Sequence, residues 1–398
     1  MHSGFRIGRL FGIDIRVDWS WLVIFFLITW NLAAAMDAIH AQWDVALRWG
    51  VAVAGSLLFF MSVLAHELAH SLVAKAQGIT VGSIRLHLFG GVSNIQQEPD
   101  SPGREFLMAV LGPVTSLVIG AALLLITGFA TTLFGSPATS AQEMLGQLNP
   151  TFTILAWLGS INILLGVFNL IPGFPLDGGR ILRAVLWALS DNLRLATQWA
   201  SWVGQGISWM MIFSGIAMAF GVQIPFFGEG LVGGLWLAFI GWFLHNAAVQ
   251  SYQQMVVRDA LEDIPVAEVM RRNPPTITSD RRVSELFSEY IMQTDDQGFP
   301  VVDGGQLVGL VTLQDVRETP REAWETTQVR EIMTPAEALV TVGPEDGAIH
   351  ALDELAQRDI RQLPVISGGQ LEGLVRRRDI VKWLQLQSNV DLGGRAQQ

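Results

Sequence analysis

Six stretches of this chain are apolar over lengths that a water-soluble helix rarely sustains. Windows near residues 19–36, 50–75, 106–134, 152–171, 196–220 and 231–250 each run to about 20 residues or more, enough for a helix to cross the hydrocarbon core of a bilayer. The pattern predicts six membrane-spanning helices, the fifth being the weakest because Gln198 and Gln205 interrupt it. From Asp259 onward the pattern changes to short apolar runs separated by paired glycines, which predicts a soluble α/β region.

Composition supports that division. The 398 residues are 50% hydrophobic and only 15% charged, with a mean hydropathy of +0.38, too apolar for a soluble protein of this length. The net charge of −11 is concentrated after Asp259, where 24 acidic residues face 14 basic ones. An acidic soluble region offers no basic surface to phosphate backbones and excludes nucleic acid as a partner. With no cysteine there is neither a disulfide framework nor a thiolate ligand, so any zinc must take nitrogen and oxygen.

Basic residues set the orientation. Arg6, Arg9 and Arg16 precede the first span, Lys75, Arg85 and Arg104 lie between the second and third, and Arg180, Arg183 and Arg194 lie between the fourth and fifth, whereas Arg48 falls in a loop of the other set. The positive-inside rule then puts both termini and the soluble region in the cytoplasm of a multi-pass membrane protein, the cell membrane in a prokaryote. Ala33-Ala34-Ala35 could mark signal-peptide cleavage, but Asp14 and Asp18 precede it and the apolar run is span-length.

Inside the second span lies His66-Glu67-Leu68-Ala69-His70. On a helix, histidines at i and i+4 project from one face about one turn apart, with the glutamate beside them: a zinc pair and its general base. Ionisable groups at membrane depth cost on the order of a few kcal/mol each, so their clustering points to function. Catalytic zinc usually takes three protein ligands, and the best-placed third is Asp177, which follows Pro172-Gly173-Phe174-Pro175-Leu176 at the end of the fourth span. The other reading of Asp177 is a cap on a short helix starting near Gly178-Gly179. His87, in an alternating stretch, and His245, beside Asn246 in the sixth span, compete as ligands but lack spacing partners; the latter two could form a polar pair between helices.

These two segments together resemble the site-2 protease family of intramembrane zinc metallopeptidases over roughly residues 1–250. The resemblance implies one Zn²⁺ per chain held by His66, His70 and Asp177, with Glu67 as the catalytic base. It also implies that Asn169 helps hold the substrate strand, although its position allows an interhelical hydrogen bond equally well. Residues 79–95 alternate in part, and Gly90-Gly91 would suit a hairpin turn. Such a small β-structure near the active site would give an unwound substrate a sheet edge to join, with Gly90 and Gly91 at the substrate; a surface hairpin without that role is the alternative.

The soluble region contains an internal repeat. Phe299-Pro300-Val301-Val302 and Gly309 to Val316 recur 64 residues later as Leu363-Pro364-Val365-Ile366 and Gly373 to Ile380, with turns at Gly304-Gly305 and Gly368-Gly369. Met270 and Met333 open the two copies. The repeat resembles a tandem pair of cystathionine-β-synthase (CBS) domains. That resemblance implies ATP, ADP or AMP binding through Thr312, Asp315 and Asp379, with Arg376 standing where the second copy's hydroxyl should be. Asp315 and Asp379 could instead cap the helices that follow them. A pair that only dimerises or docks substrate is a further alternative.

The expected architecture is a polytopic α-helical membrane domain over residues 1–255, a linker at 256–263, CBS copies at 264–321 and 322–386, and a tail at 387–398. The expected activity is hydrolysis of peptide bonds in or near transmembrane segments of single-span, membrane-anchored proteins, with homodimerisation through the CBS pair. A CBS-regulated metal-ion transporter or a non-proteolytic membrane scaffold is the rival. The transporter would not need Glu67 between the ligands or a helix broken at Asp177, and intact ligands weigh against the scaffold.

Overall fold

The computed structural model describes residues 4–88, 90–95, 99–134, 145–225, 228–358 and 360–395. They divide into two compact units, Met1–Gln253 and Gln254–Gln398.

The first unit opens with a hairpin, β1 (Phe5–Leu10) and β2 (Ile13–Val17), followed by α1 (Trp21–Ile39) and α2 (Val45–Ala76). Then come β3 (Val81–His87), β4 (Gly90–Ile95), α3 (Pro102–Phe134), α4 (Pro150–Asn169), α5 (Asp177–Ser190), α6 (Leu193–Ala219) and α7 (Leu231–Leu261), the last of which runs on past the unit's end at Gln253. Six of these helices, all but α5, are long and apolar enough to cross a membrane, so the fifth expected span is present despite its glutamines. Gln205 is accommodated by donating to Ser201, whose hydroxyl donates in turn to Ala248 O on the next helix. Large apolar side chains such as Leu125, Phe129 and Val232 are 67–82% exposed, as lipid-facing positions of an integral membrane protein are.

Half of the most apolar window of α2 is buried, against 22–33% in the other spans, which makes α2 the central helix. Asp44 starts it by accepting from Leu47 N–H, and Gly78, at φ +85°, follows its end. A four-stranded sheet of order β1-β2-β3-β4 lies against the same helix: Ile13, Ile15 and Ile84 pack on Leu64, and Val17 and Leu86 on Val63. Only β2 and β3 run parallel, with Arg16 opposite Arg85, and β4 is an edge strand. The glycine pair falls differently from the sequence expectation. Gly90 and Gly91 are not the turn but the first residues of β4, paired with His87 and Leu86, and the connection runs through Leu88 and Phe89, the latter outside the described residues.

In the second unit the repeat folds as two hairpins. β5 (Gly298–Asp303) turns into β6 (Gln306–Thr312) at Gly304-Gly305, and β7 (Gln362–Ser367) into β8 (Gln370–Arg376) at Gly368-Gly369. All four glycines have positive φ, as a type I′ turn requires. β6 and β8 meet at Gln306 and Gln370, equivalent residues of the two copies, so the pairing carries a local two-fold relation. Each copy's opening segment completes the other copy's core. Val266 and Val269 pack with Leu363, Val365 and Val375, while Val329 packs with Phe299, Val301 and Val311. That exchange is a physical reason for two copies in tandem.

Candidate metal centre

The site begins on α2, whose 3.6-residue period brings His66 and His70 to one buried face, their rings 4.9 Å apart. Asp177 arrives from the irregular segment after α4. That segment folds back so tightly that a Cβ on Gly178 would fall 2.2 Å from Ile171 O and one on Gly179 2.4 Å from Phe174 N. Asp177 is the first residue of α5, and among the described residues its side chain meets the two histidines and makes no capping bond. Its Oδ2 instead lies 3.0 Å from His66 Nε2 and 3.3 Å from His70 Nε2, and the two Nε2 atoms are 3.3 Å apart.

These separations suit a metal ion. Ligand atoms about 2.0–2.1 Å from a tetrahedral zinc stand roughly 3.3–3.4 Å from one another, and a two-imidazole, one-carboxylate donor set is a zinc set. His70 Nδ1–H donates to Met108 O at 2.7 Å, which leaves Nε2 as the lone-pair nitrogen, and His66 Nδ1 is 2.9 Å from Ser116 Oγ. Room is supplied by Gly112: a Cβ there would lie 2.1 Å from His70 Nε2 and 2.8 Å from His66 Nε2. The residues present fit zinc.

Helix α3 carries a part of the site that the sequence reading missed. Glu105, Met108, Gly112 and Ser116 are spaced three, four and four apart and so share one helix face. Met108 and Ser116 orient the two imidazoles, Gly112 clears the space between them, and buried Glu105 pairs with Arg183 on α5, the helix that Asp177 begins. The Arg183 guanidinium also lies over the Phe174 ring. The signal was present as a helical period of a carboxylate, a glycine and a hydroxyl, but nothing local says which face meets α2.

Glu67 follows His66 on α2, with its carboxylate turned toward β4. Ser93 Oγ–H donates to Glu67 Oε2 at 2.9 Å, and Ser71 Oγ–H donates to Ser93 Oγ at 3.0 Å. Asn169 ends α4 with its amide donating back to Leu165 O, and among the described residues it makes no hydrogen bond to His66, His70 or Asp177. His87 stays in β3, where burial pushes its imidazole below the ordinary value and Asp18 opposes the shift. His245 packs on Trp209 of the neighbouring helix, while Asn246 donates to Trp242 O of its own helix, and among the described residues neither forms a polar pair between helices. Among the described residues, only His66, His70 and Asp177 form a cluster able to hold a metal.

In the second unit the expected nucleotide residues satisfy one another. Thr312 and Asp315 form a reciprocal capping box at the start of the helix Leu313–Glu318. Arg376 donates twice to Asp379, at 2.6 and 2.8 Å, and also reaches the buried Asp296, on which Arg271 and Arg378 converge as well. Beside this network lies a cavity of about 440 Å³ lined by Ile360, Arg361, Arg376, Arg377 and Arg378 among others.

A span-borne His-Glu-x-x-His pair, a carboxylate returning from a broken helix and an appended repeat define the class as a membrane-embedded metallopeptidase with a tandem CBS pair. Comparison with known proteins agrees. Residues 54–213 match Peptidase family M50, and residues 266–322 and 329–386 each match the CBS domain. A Mycobacterium tuberculosis protein named "Putative zinc metalloprotease Rip3" is 32% identical over 97% of this chain and 94% of its own length. The zinc metalloprotease MJ0392 of Methanocaldococcus jannaschii is 27% identical over 97% of each chain. The solved site-2 protease from Methanocaldococcus jannaschii aligns at 26% identity over 63% of this chain and 95% of its own, with a TM-score of 0.40. The chain belongs to peptidase family M50, the site-2 proteases, and is a zinc metalloprotease of the membrane.

Proposed function

We propose that this protease cleaves single-span, membrane-anchored proteins within or beside their transmembrane helices, with zinc held by His66, His70 and Asp177. The observation that carries the reading is the convergence of those three donor atoms within 3.0–3.3 Å of one another beside Glu67, with both histidines on a helix long and apolar enough to cross a membrane. Zinc held there would supply Lewis-acid chemistry, lowering the pKa of a water to about 7 and polarising the scissile carbonyl. Glu67 takes a proton from the attacking water and returns it to the leaving amine, so no covalent intermediate with the protein forms. Ser116 and Met108 keep the two Nε2 lone pairs turned to the site.

A helical substrate has its peptide groups already hydrogen-bonded and must unwind before it can be cut. We assign its docking to the edge strand β4, beginning at Gly90 and Gly91, which lies against the catalytic turn of α2 and has a pairing edge to offer. Asn169, whose amide oxygen makes no hydrogen bond among the described residues, serves the same unwound strand. The arginine distribution supports cleavage near the cytoplasmic face with both termini inside. Because the chain has no cysteine, single cysteines introduced into successive loops and labelled from one side test that topology directly.

The CBS pair is read as a regulator that binds an adenine nucleotide and carries homodimerisation. The arginine-lined cavity supports the second copy as the phosphate site, with Arg376 serving phosphate in place of the hydroxyl that Thr312 provides in the first. Light scattering of the purified protein tests the dimer. The central experiment compares wild type with Glu67→Gln on single-span substrates, with zinc present or chelated. Cleavage should vanish under both perturbations while Glu67→Gln keeps its zinc; turnover by that variant refutes the mechanism.

A further inference from the structure

Ser93, on the inner face of β4, is hydrogen-bonded to Glu67, and the proposed mechanism makes no use of that link. Along the strand, Gly91, Ser93 and Ile95 are half-buried while Val92 and Asn94 are exposed, the alternation of a strand with one face against α2. Gly91 lies so close that an added Cβ would fall 2.4 Å from Glu67 Cγ. Ser93 then supplies a contact of defined polarity. An ionised carboxylate can only accept, so the hydroxyl proton of Ser93 goes to Glu67, with Oε2 the nearer acceptor at 2.9 Å and the backbone oxygen of the same residue a longer one at 3.4 Å, and the proton of buried Ser71, one turn further along α2, goes to Ser93 Oγ.

We infer that Ser93 is a positioning residue through which β4, the edge strand, sets the orientation of the base Glu67. The inference rests on the proposed docking of an unwound substrate to that strand. Substrate pairing on the outer edge of β4 fixes the strand's position, and the Ser93 hydroxyl transmits that position to the carboxylate on its inner face. A segment able to extend along β4 thereby aligns the group that will act on it, whereas one that only touches the site leaves Glu67 less well ordered. The coupling acts on the chemical step more than on binding, because Ser93 faces α2 and not the pairing edge. Displacements of about 1 Å in a catalytic group can cost on the order of a hundredfold in rate.

The test uses the full-length, zinc-loaded protein in detergent and a single-span test protein whose helix carries glycines near the inner face. Ser93→Ala should lower kcat by about tenfold to a hundredfold with KM changed less than about twofold, and Ser93→Thr, which restores the hydroxyl, should recover most of the rate. Ser71→Ala should act in the same direction and more weakly. Metal content and thermal midpoint should match wild type, since a merely structural serine would move those instead. An unchanged kcat in Ser93→Ala, a loss confined to KM, or no recovery in Ser93→Thr overturns the inference. The outcomes separate from those of the underlying reading. A dead Glu67→Gln beside a fully active Ser93→Ala sinks only the positioning role, while an active Glu67→Gln sinks the base and the coupling together.

Discussion

Replacing Gly112 by alanine adds one methyl group at the centre of the metal site. That carbon would lie 2.1 Å from His70 Nε2, 2.4 Å from His70 Cε1 and 2.8 Å from His66 Nε2. Ordinary non-bonded contacts between heavy atoms begin at about 3.5 Å, so His70 must retreat by roughly 1 Å or more. It is poorly free to do so, because its Nδ1 is tied to Met108 O, one turn before the new methyl on the same helix, and His66 Nδ1 is tied to Ser116 one turn after it. Metal–ligand distances tolerate only about ±0.2 Å, so a shift of this size removes at least one imidazole from the coordination sphere. Loss of an outer-shell partner alone costs about 10–100-fold in metal affinity, and loss of a ligand should exceed the upper end of that range. We therefore expect Gly112→Ala to bind zinc at least about a hundredfold more weakly and to lose proteolysis with it. Gly128→Ala is the control: it lies on the same helix with no atom within 4 Å of the added carbon. Metal content after dialysis and competition against a chelator of known affinity read the outcome. A Gly112→Ala protein that retains one zinc per chain with an unchanged competition constant refutes the proposed ligand geometry.

Two further outcomes follow from the shells around the sites. Ser116→Ala removes the partner of His66 Nδ1 and should weaken zinc about 10–100-fold without preventing saturation at high zinc; a chelator titration that superimposes on wild type contradicts that role. In the second unit, Arg376→Ala should weaken ATP binding to the purified protein by calorimetry at least about tenfold, the scale of one lost charge-assisted contact, whereas equal binding by both proteins moves the phosphate site elsewhere.

The buried Glu105–Arg183 pair bears on how the membrane unit holds its catalytic parts together. Both side chains are nearly inaccessible, and a second guanidinium, that of Arg180, stands 3.9 Å from the same carboxylate. Removing one partner from such a pair leaves an uncompensated buried charge at a cost of roughly 3–5 kcal/mol, a penalty that links the placement of α3 to that of α5. Those are the helices that orient the histidines and begin with Asp177, respectively. The ion pair thus connects the two halves of the ligand set through the fold, without touching the ligands.

What could be read along the chain was what depends on near neighbours. Six spans follow from apolar length, the His66–Glu67–His70 cluster from helical period, and the tandem pair from a 64-residue repeat, all properties of a local window or of the chain compared with itself. Asp177 was reachable only because its own surroundings, prolines and glycines ending a span, carry a local signature. The tertiary structure alone decided the rest, because those choices depend on which faces meet across long separations. Ser116 reaches His66 across 50 residues, Met108 reaches His70 across 38, and Ser93 reaches Glu67 across 26. It also decided that Gly90 and Gly91 begin an edge strand and do not make the turn, since strand pairing with β3 outweighs the turn preference of two glycines. Helix periodicity says which residues share a face, and only packing says what that face is turned toward.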